Sequence, residues 1–143
     1  MTYALIAATI VLHACICLLA ADFLAGVVHW AEDTWLRPGI SPLLDKWVVL
    51  PNLEHHQRPG GIHYWGHCGT PPRAIALLQR LGVLQPAAHH ALHHKRPYGV
   101  RYCTTTTFLN PVLDRIGFWR GLERIAERCG ARVHRATPAR GGY

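Results

Sequence analysis

Residues 3–30 read YALIAATIVLHACICLLAADFLAGVVHW, an apolar run interrupted by His13, Asp22 and His29. No formal charge occurs between Met1 and Ala21. At about 1.5 Å per residue, a helix over the first 30 residues would be roughly 45 Å long, more than the ~30 Å core of a bilayer. A cleaved signal peptide would carry Lys or Arg ahead of the apolar run, and none is present. The stretch therefore predicts a retained transmembrane helix over 3–30; a buried helix of a soluble protein is the competing reading. All 15 Lys and Arg lie at or after Arg37, while Asp22, Glu32 and Asp33 are the acids before it. Under the positive-inside rule this places the N-terminus outside and the C-terminus in the cytoplasm, in a bacterial inner membrane or endoplasmic reticulum.

Working outward, the chain has 143 residues, the length of one domain, with a formal charge of +7. Only 16% of residues are charged and 50% are hydrophobic, a balance that excludes a basic disordered arm, so no nucleic-acid partner is expected. Five cysteines at irregular spacing give no disulfide framework and no CxxC zinc knuckle. Histidine is the outlier, its 11 copies outnumbering the 8 acidic residues.

The rest of the chain reads as helical. Leu43 to Leu53 is apolar but too short to span, which suits the interface. A second apolar element over 71–88 starts at Pro71-Pro72 and is interrupted by Gly82 and Pro86, as a half-spanning or surface helix would be. Asn110-Pro111 reads as an N-cap and N1 pair opening an amphipathic helix over 111–129, with Arg115, Arg120, Arg124 and Arg128 opposite its apolar face. A basic disordered tail is expected over 131–143, leaving 1–130 as one all-α membrane domain.

Eight histidines fall between His55 and His94, as His55-His56, His63 and His67 (HxxxH), and His89, His90, His93 and His94 (HHxxHH). Helical positions i, i+3 and i+4 share a face, so the spacing lets His90, His93 and His94 converge, and His63 with His67. Asp22, Gly26, His29 and Asp33 form a stripe at the end of the first helix, adding an imidazole and one or two carboxylates. Imidazole with some carboxylate suits iron, copper, zinc or nickel. One zinc takes three or four ligands and a haem one or two histidines, so two metals account for the number better. His55-His56 alone would also read as a polar loop, and His13 and His134 as spectators.

The stretch Ala21 to Trp35, the triplet Glu54-His55-His56, the HHxxHH box, Tyr102 to Thr106, Leu109-Asn110-Pro111 and Ile116 to Arg120 together resemble the Kua-type lipid desaturase family, which includes plasmanylethanolamine desaturases. The resemblance runs from Ala21 to Glu127. It implies an integral membrane helical enzyme with a histidine-box di-metal site on the cytoplasmic side, holding two non-haem irons. Such an enzyme uses O2 and two electrons to remove two hydrogens from a phospholipid or ether-lipid chain, forming a plasmalogen vinyl ether in the plasmanyl branch. Carried over by position, His29, His55, His56, His63, His67, His90, His93 and His94 are metal ligands, His89 is a ninth candidate, and Asp33 orients a ligand imidazole. The electrons come from an external cytochrome b5- or ferredoxin-type donor, since no nucleotide-binding glycine motif is present. A related di-iron hydroxylase and an inactive histidine-rich metal-binding membrane protein are the rival readings. The sequence departs from the family in having only Gln57 to Ile62 between the His55-His56 motif and the HxxxH box, where relatives carry a longer membrane-spanning segment. This is a shortened member, one that homo-oligomerisation would complete, or a form that has lost activity.

Overall fold

The computed structural model describes residues 2–57, 64–95 and 99–133, and among these every regular element is helical. Helix α1, Tyr3–Trp35, is 33 residues long, which at about 1.5 Å per residue is roughly 50 Å. It runs five residues beyond Trp30. Arg37 precedes Pro38 and is sterically biased away from helix, so the helix has to end nearby, and Leu36 is already extended (φ −80°, ψ 136°). None of the most apolar 18-residue stretch of α1 is buried. Its C-terminal half differs, burying Asp22, Gly26, His29, Trp30, Asp33 and Thr34.

A turn through Gly39, whose φ of 93° favours glycine, reverses the chain, and the Asp45 carboxylate accepts from the Gly39 N–H at 2.8 Å. Then α2 (Pro42–Leu44), a π-helical turn (Asp45–Val49) and α3 (Leu50–Gln57) follow without a break, opening on Pro42 at the first helical position. The expected apolar segment 43–53 is therefore the middle of a longer helix. Helix α4 is Tyr64–His67.

The expected element over 71–88 is resolved into two short helices, α5 (Arg73–Arg80) and α6 (Ala87–His90), neither able to span even half a bilayer. Gly82 separates them. It sits at φ 76°, and a Cβ there would lie 2.6 Å from Thr107 Oγ1. The helix expected over 111–129 is likewise two, α7 (Leu109–Arg115) and α8 (Phe118–Arg128), broken at Gly117 with φ 67°. Asn110 does not cap: its side chain accepts from Cys103 N–H at 3.0 Å and donates to Cys103 O at 2.7 Å, and the helix begins two residues earlier than expected, at Leu109. Of the expected tail, residues 131–133 are irregular and 134–143 lie outside the described residues.

The apolar core is small. Trp30, Tyr102, Cys103, Leu113 and Trp119 form it, with Phe23, Val27 and Trp35 of α1 and Phe118 and Leu122 of α8 packed around. Aromatic contacts tie α1 to α8, with Phe23 to Phe118 at 5.5 Å and Trp30 to Trp119 at 6.2 Å between ring centres. The segment 102–106 lies against α1, and Gly26 allows that approach because a Cβ there would lie 2.8 Å from Cys103 Sγ.

Candidate metal centre

Two groups of potential ligands form around this core. His55, His67, His90 and His94 make one, and His29, Asp33 and His93 the other; within each, the donor atoms lie within 4.8 Å of one another. Helix α1 contributes His29 and Asp33 one turn apart, α3 contributes His55, α4 His67 and α6 His90. Past His90 the chain tightens into turns with i+3 bonds, such as His93 N–H to His90 O at 2.9 Å. The HHxxHH box is therefore divided: His90 and His94 join the first group, His93 the second. The rings of His90 and His93 stack with centres 6.0 Å apart, placing the groups side by side.

Hydrogen bonds fix which ring nitrogen faces inward. A carbonyl oxygen can only accept, so His29 Nδ1 donates to Tyr102 O (3.2 Å) and His93 Nδ1 donates to Val100 O (2.8 Å). Their Nε2 lone pairs are left turned toward Asp33 Oδ2, at 3.7 and 3.2 Å. Asn52 Nδ2 donates to Asp33 Oδ1 at 2.9 Å and so orients that carboxylate. In the first group the decisive residue is Gln85. Its amide NH2 donates to Cys103 O at 3.0 Å, which turns Oε1 toward His90 Nδ1 at 2.9 Å and makes that nitrogen the donor. The lone pair of His90 Nε2 then points to His94 Nε2 at 3.1 Å and His55 Nε2 at 3.5 Å.

This arrangement fits cations. The Nε2 lone pairs of His29 and His93 and the Asp33 carboxylate oxygen repel one another unless a positive charge lies between them, and in the first group the buried Nε2 of His67 has no hydrogen-bond partner. Ligands about 2.1 Å from one ion lie roughly 3.0–4.2 Å apart, so the observed separations need only slight contraction. Burial also draws the His67 imidazole below its ordinary pKa, holding it in the neutral form that a metal requires.

Not every expected site residue joins. His89 lies apart: its Nε2 faces Arg101 Nη1 at 3.1 Å and Asn110 Nδ2 at 3.4 Å, and burial, then the Arg101 charge, lower its pKa. His63 lies outside the described residues, as does the side chain of His56. Asp22 shares the α1 stripe but serves the 102–106 segment, accepting from Thr105 N–H (2.8 Å), Thr106 N–H (3.1 Å) and Thr106 Oγ1 (2.6 Å). Gln85 and Asn52 carry no sequence signal of their own. Arg101 also escaped notice as a backbone element. It holds φ at 64°, strained for a non-glycine, while its N–H and Nε both bond Asp114, and so it fixes the Tyr102 carbonyl that His29 uses.

A cleft of about 330 Å³ opens between α1 and the π turn, lined by Ala25, Val28, Trp47, Val48 and Pro51 and reaching His29 and His55. It touches both ligand groups, and Glu32, Asn52 and Thr104 add polar groups to a wall that is otherwise apolar.

The family profile for the lipid desaturase domain matches residues 18–62 and 60–137. Among characterised proteins, a plasmanylethanolamine desaturase of Myxococcus xanthus is 28% identical, the match covering 75% of this chain and 57% of that protein. Plasmanylethanolamine desaturase 1 of Mus musculus is 27% identical over 76% of this chain and 62% of its own length. A probable fatty acid desaturase of Acanthamoeba polyphaga mimivirus is 26% identical over 76% of this chain and 78% of its own. The chain thus spans about three fifths of the length of the first two. The first alignment extends over 160 positions against three quarters of a 143-residue chain, so that relative carries residues absent here. The two profile segments meet at 60–62, where the sequence has its short connection. No solved structure matches.

Proposed function

Because the chain belongs to the lipid desaturase family, we propose that it is a membrane-bound di-iron enzyme that removes two hydrogens from a lipid alkyl or acyl chain. The observation that carries this reading is the pairing of two largely buried donor groups, one of four imidazoles and one of two imidazoles and a carboxylate, with a mostly apolar cleft that reaches both. His55, His67, His90 and His94 would hold one iron, and His29, Asp33 and His93 the other. Bound iron supplies redox chemistry with O2, strong enough to break an unactivated C–H bond that no side-chain acid or base can attack. The balanced reaction converts –CH2–CH2–, O2, two electrons and two protons into –CH=CH– and two waters. The electrons come from a partner carrier of cytochrome b5 or ferredoxin type. Plasmanylethanolamine is the favoured substrate, since two of the relatives bear that name.

The chain's own groups prepare the site. Tyr102 O, Val100 O and Gln85 Oε1 fix three imidazoles with Nε2 inward, Asn52 aims Asp33, and the apolar walls hold a hydrocarbon chain beside the donors while excluding water. The cationic residues beyond Arg37 set the membrane orientation, with the N-terminus outside.

Lipid analysis of a host expressing the wild type or His93→Ala, combined with elemental analysis of the purified proteins, tests this. The wild type should carry iron at both groups and yield a new chain double bond, and His93→Ala should lose the double bond and the iron of its own group while the four-histidine group keeps its metal. A hydroxylated product would identify a hydroxylase. Metal without any lipid change would identify a metal-holding protein.

A further inference from the structure

The helix from Pro42 to Gln57 is amphipathic in the reverse of the usual sense. Its inward side carries Val49, Asn52 and His55, two of them polar and engaged at the ligand groups. Its outward side carries Leu43, Leu44, Trp47 and Leu50, with Ile40 ahead of it, all exposed; Leu43 and Trp47 are 69% and 67% accessible. In water, five exposed large apolar residues within eleven positions would be a liability. This face is continuous with the lipid-facing side of α1. Trp47 and Val28 line the same cleft, and Val28 and Leu24 are exposed along α1. The charges on the segment are placed as an interfacial helix needs them: Asp45 is turned back onto Gly39 N–H, and Lys46 Nζ lies over the Trp47 ring at 5.0 Å. Indole rings favour this headgroup depth.

We infer that the outward face of residues 40–50 is embedded in the membrane interface, and that the cleft beside Trp47 is a side portal through which one hydrocarbon chain of a bilayer lipid slides to His29 and His55. The occupant is a lipid, because the face continues the exposed apolar surface of α1, and because the cleft it borders is mostly apolar, walled by Ala25, Val28, Trp47, Val48 and Pro51, with Glu32 and Thr104 as its polar lining away from the ligand groups. Naming that chain as the reactant rests on the desaturase reading; the membrane placement does not.

The test uses the full chain in phosphatidylcholine nanodiscs whose acyl chains are brominated either near the glycerol or near the methyl end. Trp30 and Trp119 are buried, Trp35 is half-buried and Trp65 is 37% exposed against 67% for Trp47, so shallow bromines should quench Trp47 most, and Trp47→Phe should remove at least half of that quenching. A second variant, Ala25→Phe, fills the cleft; it should abolish the immobilised component in the electron spin resonance spectrum of a phosphatidylcholine carrying a nitroxide on its chain, with metal content unchanged. Equal quenching of wild type and Trp47→Phe, or Trp47 shielded from bromine in a complex of two chains, overturns the placement. An immobilised component that survives Ala25→Phe overturns the portal. Iron content and product analysis of the same nanodiscs report on the desaturase reading separately.

Discussion

At the scale of single residues, the site is governed as much by the groups that turn the imidazoles as by the imidazoles themselves. Gln85 is the clearest case. Its NH2 is committed to Cys103 O, so Oε1 must accept from His90 Nδ1 and leave Nε2 as the lone-pair nitrogen. Removing a group that orients a ligand typically costs about 10- to 100-fold in metal affinity. Gln85→Leu should therefore weaken binding at the four-histidine group by that factor in chelator competition, while the His29, Asp33 and His93 group keeps its affinity. Gln85→Glu retains an acceptor for His90 and should bind metal near wild-type strength, although loss of the amide donor lowers its melting temperature. Equal affinity in Gln85→Leu and the wild type would sink this role. The histidines were legible in the sequence because imidazole is rare and the HHxxHH spacing is regular. Gln85, Asn52 and the Tyr102 carbonyl were not: an amide beside a proline and a backbone oxygen look the same whether or not a ligand leans on them. His89 misled for the opposite reason, since its spacing matches a ligand's while its ring is engaged by Arg101 and Asn110.

At the scale of elements, the sequence announced α1 through its length and hydropathy. The break at Gly82 was visible in the sequence, whereas the one at Gly117, where φ is 67°, was not, because the apolar spacing continues across it. The docking of α1 on residues 102–106 turns on another glycine. In an isolated helix, Gly26→Ala would gain about 1 kcal/mol from propensity. Here the new Cβ meets Cys103 Sγ at 2.8 Å and Cys103 N and Cα at 3.1 and 3.2 Å, and backbone cannot rotate out of the way. Overpacking of that kind costs about 1–3 kcal/mol, so the clash should outweigh the propensity gain. Gly26→Ala is expected to lower the thermal midpoint in detergent by a few degrees, and a raised midpoint would show that α1 and the segment separate freely. The displacement also pulls on Asp22, whose carboxylate receives three hydrogen bonds from Thr105 and Thr106.

At the scale of the whole molecule, the interior is the polar part. Among the described residues, twelve buried side chains are polar or charged against six that are apolar, while large aliphatic and aromatic side chains are exposed along α1, residues 40–50 and α7. A core of five apolar side chains gives little hydrophobic stabilisation to the region outside α1, and the ligand groups draw on residues as far apart as His29 and His94. Metal ions joining those residues would close long loops, as cross-links do. A ligand present at a thousand times its dissociation constant stabilises the folded state by about 4 kcal/mol, which for a domain of this size raises the midpoint by roughly 10 °C. Stripping metal with a chelator should accordingly lower the midpoint by about that amount, with circular dichroism showing α1 still helical while the remaining helices melt. Adding iron(II) back should restore the transition, and His93→Ala should respond to chelator only partially, since it leaves the four-histidine group complete. A wild-type midpoint unmoved by chelator, in protein shown by elemental analysis to have carried metal beforehand, would mean that these imidazoles hold their positions through hydrogen bonds to the backbone and Gln85 alone, and that the metals are not structural cross-links.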